Sequence, residues 1–156
     1  ESTGTIMIEL ILSRAGPEDL LAVMDIENSS FEHPWPANCL LPELSDGKIN
    51  YSLIAEIDGK VAGYLMTWRV VDEFHIINIA VAPDFRRIGV ASAFLGALVD
   101  EARLSGINSM TLEVREGNSG ARKFYERHHF KEVGVRPKYY RDSGEDALIM
   151  TRSVDE

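Results

Sequence analysis

A turn in the middle of the chain has the residue types that bind phosphate. It lies between an apolar run that ends at Val81 and a second apolar stretch that begins at Val90. Backbone N–H groups at a helix start bind phosphate without a dedicated side chain, and Gly89 lets the backbone approach a ligand closely. Arg86 and Arg87 can add positive charge at the same point. The alternative is an ordinary turn with solvated arginines.

Two further residues have side chains suited to proton transfer. Glu113 lies between Leu112 and Val114 in an apolar run, so a sheet covered on both faces would partly bury its carboxylate. Burial disfavours the charged form of a carboxylate, which is the direction that a general base requires. Tyr125 has a phenol that can donate a proton to a leaving group. The alternatives are an exposed glutamate at a sheet edge and a tyrosine that only packs.

The pattern of apolar residues places these groups on alternating strands and helices. Asp58-Gly59 between two apolar runs is a strong hairpin signal. A first helix opens at Gly16, and its inner stripe is apolar except for Glu27. The order β-α-α-β-β-β-α-β-α-β-β predicts an α/β or α+β domain with one mixed sheet. Strands are predicted at 7–14, 51–57, 60–68, 73–81, 107–115, 131–135 and 146–152, and later helices at 37–44, 89–104 and 119–128.

Composition narrows the class of protein. The net charge of −9 argues against a nucleic-acid binder and fits either a basic partner or solubility alone. The single cysteine, Cys39, excludes an internal disulfide, fits a reducing compartment, and is expected to be a packing residue. No apolar run is long enough to span a bilayer, and no signal peptide is evident. We therefore expect one cytoplasmic domain over 1–156, with 1–6 as a tag remnant or disordered tail, and no membrane partner.

The central turn resembles the pyrophosphate-binding loop of the GNAT acetyltransferase superfamily, written Q/R-x-x-G-x-G/A. Here the motif is Arg86-x-x-Gly89-x-Ala91, after Ile79-Ala80-Val81. The resemblance implies a GNAT fold: a single mixed, mostly antiparallel sheet with a central parallel pair that splays apart, and helices on both faces. It implies acetyl-CoA as the cosubstrate. The implied cofactor-binding residues are Ile79, Ala80, Val81, Arg86, Arg87, Ile88, Gly89, Val90, Ala91, Ser92 and Asn118.

The following segment resembles the RimI-type N-terminal acetyltransferases of that superfamily. The similarity rests on Leu112-Glu113-Val114-Arg115, then Asn118, then Ala121-x-x-x-Tyr125-x-x-x-x-Phe130. It implies that Glu113 is the general base, that Tyr125 is the general acid and that Asn118 contacts the cofactor. His129 stands where the family commonly has glycine, and histidine tolerates the left-handed conformation better than most residues.

Two aromatic loops resemble those that flank the peptide groove of these relatives. Phe31 and Trp35 follow the first helix, and Tyr139 and Tyr140 lie near the C-terminus. The resemblance implies that the substrate is a protein N-terminus, for example that of a ribosomal protein, with Tyr139 as the first choice for a substrate contact and Tyr140 as the second. The alternative is that these aromatics only pack within their own loops.

Other functions stay open at the level of sequence. The same fold acetylates polyamines, amino acids or lysine side chains, and a chain of this kind could also be an acetyl-CoA-binding module that needs a partner. The enzyme is expected to be a monomer or a weak homodimer. Adjacent histidines at a helix end make a poor chelate, and the other histidines, His33 and His75, have no ligand spacing with them, so no metal site is predicted.

Overall fold

The computed structural model describes residues 9–45 and 47–155, so the tail predicted at 1–6 lies outside the described residues. The order of strands and helices is the predicted one. The strands are β1 (Leu10–Arg14), β2 (Asn50–Ile57), β3 (Lys60–Val70), β4 (Glu73–Val81), β5 (Ser109–Arg115), β6 (Lys131–Arg136) and β7 (Ala147–Ser153). The α-helices are α1 (Leu20–Ser30), α2 (Ala37–Leu40), α3 (Val90–Ser105) and α4 (Ser119–Arg127). No described helix is both long and apolar enough to cross a membrane.

The strands form one seven-stranded sheet in the order β1-β2-β3-β4-β5-β7-β6. Every neighbouring pair is antiparallel except β4 and β5, which run parallel and are connected through α3. The predicted mixed sheet with a central parallel pair is therefore confirmed. The β2–β3 hairpin closes at Asp58 and Gly59, whose positive φ angles of 53° and 76° are those that a type I′ turn requires.

Helices cover both faces of the sheet, as predicted. On one face, α3 packs Phe94 and Leu98 against apolar strand residues in the larger of two core clusters. On the other face, α1 and α2 contribute Val23 and Leu40 to the smaller cluster. Both clusters exclude water from residues of β3 and β4, and this burial supplies most of the driving force that fixes the central strands. The central strands therefore form a rigid support for side chains at their ends.

Several boundaries differ from prediction, and two of these differences have a clear physical cause. The helix predicted at 37–44 is wrong in its length, because α2 ends at Leu40 and a 3-10 turn follows. Pro42 causes the change, since it has no N–H group and its ring clashes with the preceding turn of an α-helix. The strand predicted from 107 begins two residues later, because the Ile107 amide still donates to the Ala102 carbonyl at the end of α3.

Candidate active site

The parallel strands β4 and β5 separate partway along their length. They pair only where Glu73–Ile76 faces Ser109–Leu112. The register of β4 against β3 also shifts here, since Asn78 pairs with Met66 whereas Ile76 pairs with Thr67. Beyond Ile76, the edge of β4 that faces β5 has backbone N–H and C=O groups without strand partners. Such groups require other partners, so this edge is suited to pairing with an extended ligand.

A cleft of about 490 Å³ lies at the point where the strands separate. Its walls come from β4, β5 and α4, together with the loop 31–36 after α1 and the loop 137–146 between β6 and β7. The cleft brings together most of the residues predicted for chemistry and substrate binding. Its polar and aromatic lining includes Glu27, Phe31, Trp35, Asn78, Glu113, Arg115, Asn118, Tyr125, Tyr140 and Asp142.

Glu113 lies on β5 at the wall of this cleft. Its side chain is 30% exposed, so the partial burial predicted from its apolar neighbours is present. Arg136 on β6 places its Nε atom 3.2 Å from Glu113 Oε1. Hydrogen bonding to the same carboxylate, followed by burial, raises the pKa of Tyr139. A guanidinium and a phenol therefore both hold the carboxylate in place.

Tyr125 of α4 lines the same cleft and is 6% exposed. Its ring packs edge-on against Phe124 and Phe130, with centroid distances of 5.3 and 5.4 Å. Burial, with a smaller contribution from Tyr140, raises the pKa of Tyr125 above the usual value for tyrosine. The phenol therefore keeps its proton at neutral pH, which is the state that a proton donor needs.

The turn before α3 has the geometry expected of an anion-binding site. Gly89 precedes the helix with φ 95°, and Arg87 also adopts a left-handed φ of 65°. Within the described chain, no side chain caps the first turn of α3, so its N–H groups are open to a ligand. The Arg86 guanidinium is bound by other parts of the protein and not directed at this anion-binding turn. Its Nε donates to the Val81 carbonyl at 3.0 Å, and a terminal nitrogen donates to Ser30 Oγ at 3.2 Å. Its guanidinium fastens the turn to β4 and α1.

The ends of α4 are defined by two residues that the sequence singled out. Asn118 is the N-cap, and its Oδ1 accepts from the Ala121 amide at 3.1 Å. Its side-chain NH2 group remains available at the cleft. His129 follows the helix with φ 70°, so this histidine adopts the left-handed conformation that the family's glycine would fit. The Phe130 amide then donates to the Tyr125 carbonyl at 3.0 Å. The helix therefore ends in a hydrogen-bonded turn with histidine at the position where the family commonly has glycine.

The two predicted aromatic loops both contribute to the cleft, but their residues differ in role. Phe31 and Trp35 line it and are more than one-third exposed. Tyr140 also lines it, and the Arg115 guanidinium lies 4.0 Å from the centre of its ring. Burial raises the pKa of Tyr140 to about 12. Tyr139, the first choice for a substrate contact, is instead beside Glu113 at the margin of the cleft.

Arg115 ties the loop between β6 and β7 to β5. Its two terminal nitrogens donate to the carboxylate of Asp142 at 2.8 and 2.6 Å, and this pairing holds the pKa of Asp142 at about 2. His33 from the opposite loop lies 3.6 Å from the same carboxylate. The two loops therefore meet above the cleft at Asp142.

Comparison with known proteins decides the family. The model of the acetyltransferase (GNAT) family matches residues 20–130, which is more than half of the chain. The chain belongs to the GNAT acetyltransferase family. It is 37% identical over 138 residues to the ribosomal protein bS18-alanine N-acetyltransferase of Escherichia coli strain K12, covering 87% of this chain and 92% of the relative.

Solved structures agree with this membership of the GNAT family. The crystal structure of the ribosomal-protein-S18-alanine N-acetyltransferase from Escherichia coli superimposes with a TM-score of 0.86 at 33% identity, covering 94% of each chain. Ard1 from Thermoplasma volcanium gives a TM-score of 0.84 at 28% identity, covering 94% of this chain and 99% of that one. The RimI-type resemblance is confirmed, and this GNAT protein is an acetyl-CoA-dependent N-acetyltransferase.

Sequence reasoning missed a buried polar group at the base of this GNAT cleft. Glu27 of α1, Tyr64 of β3 and Asn78 of β4 are hydrogen-bonded to one another there. The available signal was the position of Glu27 as the polar member of an otherwise apolar helix stripe. Within residues 9–45 and 47–155, no three His, Cys, Asp or Glu side chains are grouped as metal ligands.

Proposed function

We propose that this GNAT enzyme acetylates the N-terminal α-amine of a protein, and that a ribosomal protein of the bS18 kind is its substrate. The observation that carries the proposal is the shared position of Glu113 and Tyr125 on one cleft, open between two aromatic loops. A cleft flanked in this way suits an extended peptide better than a compact small amine. Two similar proteins are named for the alanine N-terminus of bS18, which supports the choice of substrate.

Glu113 acts as the base that prepares the α-amine. The α-amine of an unstructured peptide has a pKa of about 7.7–8.0, so most of it is protonated at neutral pH and cannot attack the thioester. Glu113 accepts the proton, directly or through a water molecule. Arg136 and Tyr139 hold its carboxylate toward the cleft, and a fixed base loses little entropy on reaching the transition state.

Tyr125 completes the proton transfers. Acetyl-CoA supplies the acetyl group as a thioester, and the departing thiolate needs a proton. The buried phenol of Tyr125 retains its proton and is fixed by Phe124 and Phe130, so it is suited to donate at one defined position. Tyr125 and Glu113 line the same cleft, so both can act on one reaction.

The cosubstrate is held by backbone groups more than by charged side chains. The open N-terminus of α3 at Gly89 is suited to the pyrophosphate, and the unpaired edge of β4 at 79–81 is suited to the pantetheine arm. Val90 is 2% exposed and belongs to the larger core cluster, so its side chain is not proposed as a ligand contact. Asn118 offers its side-chain NH2 group from the start of α4.

Gly89→Ala tests the role of the turn. We expect a higher KM for acetyl-CoA and a loss of about 1–2 kcal/mol in the free energy of unfolding, because L-residues are strained at positive φ. A Cβ at Gly89 would meet no atom within 4 Å, so crowding is not the cause. The matched control is Gly96→Ala within α3, which also has open space and should stabilise the enzyme by about 0.5–1 kcal/mol. Denaturant unfolding and initial rates provide both readouts, and an unchanged KM would remove the turn from the cosubstrate site.

The peptide substrate is favoured by the charge of the cleft. Its lining has carboxylates at Glu27, Glu32, Glu113, Asp142 and Glu145, whereas Arg115 is its one arginine or lysine in the described part of the chain. This balance attracts a positively charged N-terminus and basic residues that follow it. The negative net charge of the whole chain acts in the same direction.

A panel of acceptors tests the proposed function. It contains a peptide that starts Ala-Arg, a peptide that starts Met, an N-blocked peptide with a free lysine, and spermidine. We expect acetyl transfer to the free α-amines, with the Ala-Arg peptide preferred. Turnover of the blocked peptide or of spermidine in place of the α-amines would contradict the proposal and leave the family assignment intact.

A further inference from the structure

A buried carboxylate joins the sheet to the loop 31–36, whose residues Phe31 and Trp35 line the cleft and form what we call its aromatic wall. Glu27 lies near the end of α1 and is 1% exposed, yet it also contributes to the floor of the cleft. A carboxylate in that position is costly unless donors satisfy it. Glu27 accepts hydrogen bonds from three donors, which lie on Tyr64, Asn78 and Trp35.

One oxygen of Glu27 binds side chains beside the point where the register of β4 against β3 shifts. Oε1 accepts from the hydroxyl of Tyr64 and from Asn78 Nδ2, the latter at 2.8 Å. Because a carboxylate only accepts, the Asn78 side chain must turn its NH2 group toward Glu27. Its Oδ1 then faces the Ile79 amide at 3.1 Å. Glu27 thereby fixes the orientation of a polar side chain at the point where β4 leaves β5.

The other oxygen of Glu27 binds the aromatic wall. Oε2 accepts from the backbone N–H of Trp35 at 2.8 Å. Prolines at 34 and 36 flank this residue, so the Trp35 amide is the sole backbone donor within the segment 34–36. The hydrogen bond to Glu27 therefore fixes the segment that presents the Trp35 indole to the cleft.

We propose that Glu27 is a positioning residue that sets the distance between the aromatic wall, where the peptide binds, and the end of β4, where acetyl-CoA binds. The inference rests on the proposed function, because the wall matters only if a peptide binds against it. Glu27 does not touch the reacting atoms: its oxygens are occupied by the protein's own donors. It acts by keeping Trp35 and Asn78 at a fixed separation, so that an N-terminus bound to the wall reaches the thioester.

Glu27→Gln is the first test, with the Ala-Arg peptide as the acceptor. Glutamine retains the shape but turns one acceptor into a donor, so it can serve the Trp35 amide only if Tyr64 and Asn78 accept in place of donating. Asn78 would then lose its contact with the Ile79 amide. We expect the KM for the peptide to rise about tenfold while the KM for acetyl-CoA stays within about twofold. Glu27→Asp keeps the charge but shortens the reach, and it should raise the peptide KM in the same way.

Glu43→Gln is the matched control. Glu43 is also a buried carboxylate on this face of the sheet and accepts from Trp68 Nε1 at 2.6 Å, but it does not line the cleft. Its substitution should lower the melting temperature and leave both KM values within about twofold. Equal kinetic losses in the Glu27 and Glu43 variants, or an unchanged peptide KM in both Glu27 variants, would overturn the inference.

Amide hydrogen exchange supplies a readout that does not depend on turnover. The Trp35 amide should exchange faster in the Glu27 variants than in the wild type and the Glu43 variant, because its acceptor has been weakened. Unchanged protection of this amide would overturn the inference even if the acceptor panel supported α-amine acetylation. If the panel instead showed another acceptor while Trp35 protection fell as expected, the proposed function would fail and the anchoring by Glu27 would stand.

Discussion

Replacing Glu113 with glutamine is expected to lower kcat for an α-amine acceptor by about 10²–10⁴ at neutral pH, the usual contribution of a general base. Glutamine keeps the shape of the side chain and its place on β5 but cannot accept the proton. The deficit should shrink as the pH rises above about 8, because the free amine then needs no base. Steady-state rates between pH 6 and 10 measure both effects.

The control for this variant is Glu116→Gln. Glu116 is an exposed carboxylate just beyond β5 and does not line the cleft, so its substitution should leave kcat within about twofold. If Glu113→Gln retained wild-type kcat at neutral pH, another group would have to act as the base. Equal losses in the two variants would point to a general electrostatic effect in place of proton transfer.

Tyr125→Phe is expected to lower kcat by about 10² or more, since the departing thiolate would lose its proton donor. The loss of stability should be small, because the ring contacts with Phe124 and Phe130 remain. Burial raises the pKa of Tyr125, so the group stays protonated up to and beyond the ordinary tyrosine value of about 10. Wild-type kcat should therefore show no loss from ionisation of Tyr125 between pH 7 and about 10.

Tyr51→Phe provides the comparison for Tyr125. Tyr51 is also partly buried and stacks on Phe74 with a centroid distance of 5.6 Å, but it lies outside the cleft. Its substitution should leave kcat unchanged within about twofold. If Tyr51→Phe lowered kcat as much as Tyr125→Phe, the activity would depend on buried hydroxyls in general and not on a proton donor at Tyr125.

Much of the fold could be predicted because local signals and the tertiary structure agree. Asp58 and Gly59 favour positive φ, and they close the hairpin in that conformation. The apolar run 73–81 forms a central strand with the predicted bounds. In each case one short segment contains both the signal and its structural consequence.

The parts that could not be predicted depend on contacts between distant segments. Glu27 meets Tyr64 and Asn78, which lie 37 and 51 residues away, and no local pattern indicates that pairing. Arg86 has the sequence context of a phosphate ligand, but nearby carbonyl and hydroxyl acceptors hold its guanidinium. Arg136 of β6 reaches Glu113 of β5 because only β7 separates these two strands in the sheet, an order that the sequence does not encode locally.

The central claim is that the cleft presents an N-terminal α-amine to Glu113. A single peptide that starts Ala-Arg and also contains an internal lysine tests it most directly, because both amines compete within one molecule. After limited turnover with acetyl-CoA, tandem mass spectrometry locates the acetyl group. We predict modification of the α-amine and an unmodified lysine. Acetylation of the lysine with a free N-terminus would contradict the proposed function.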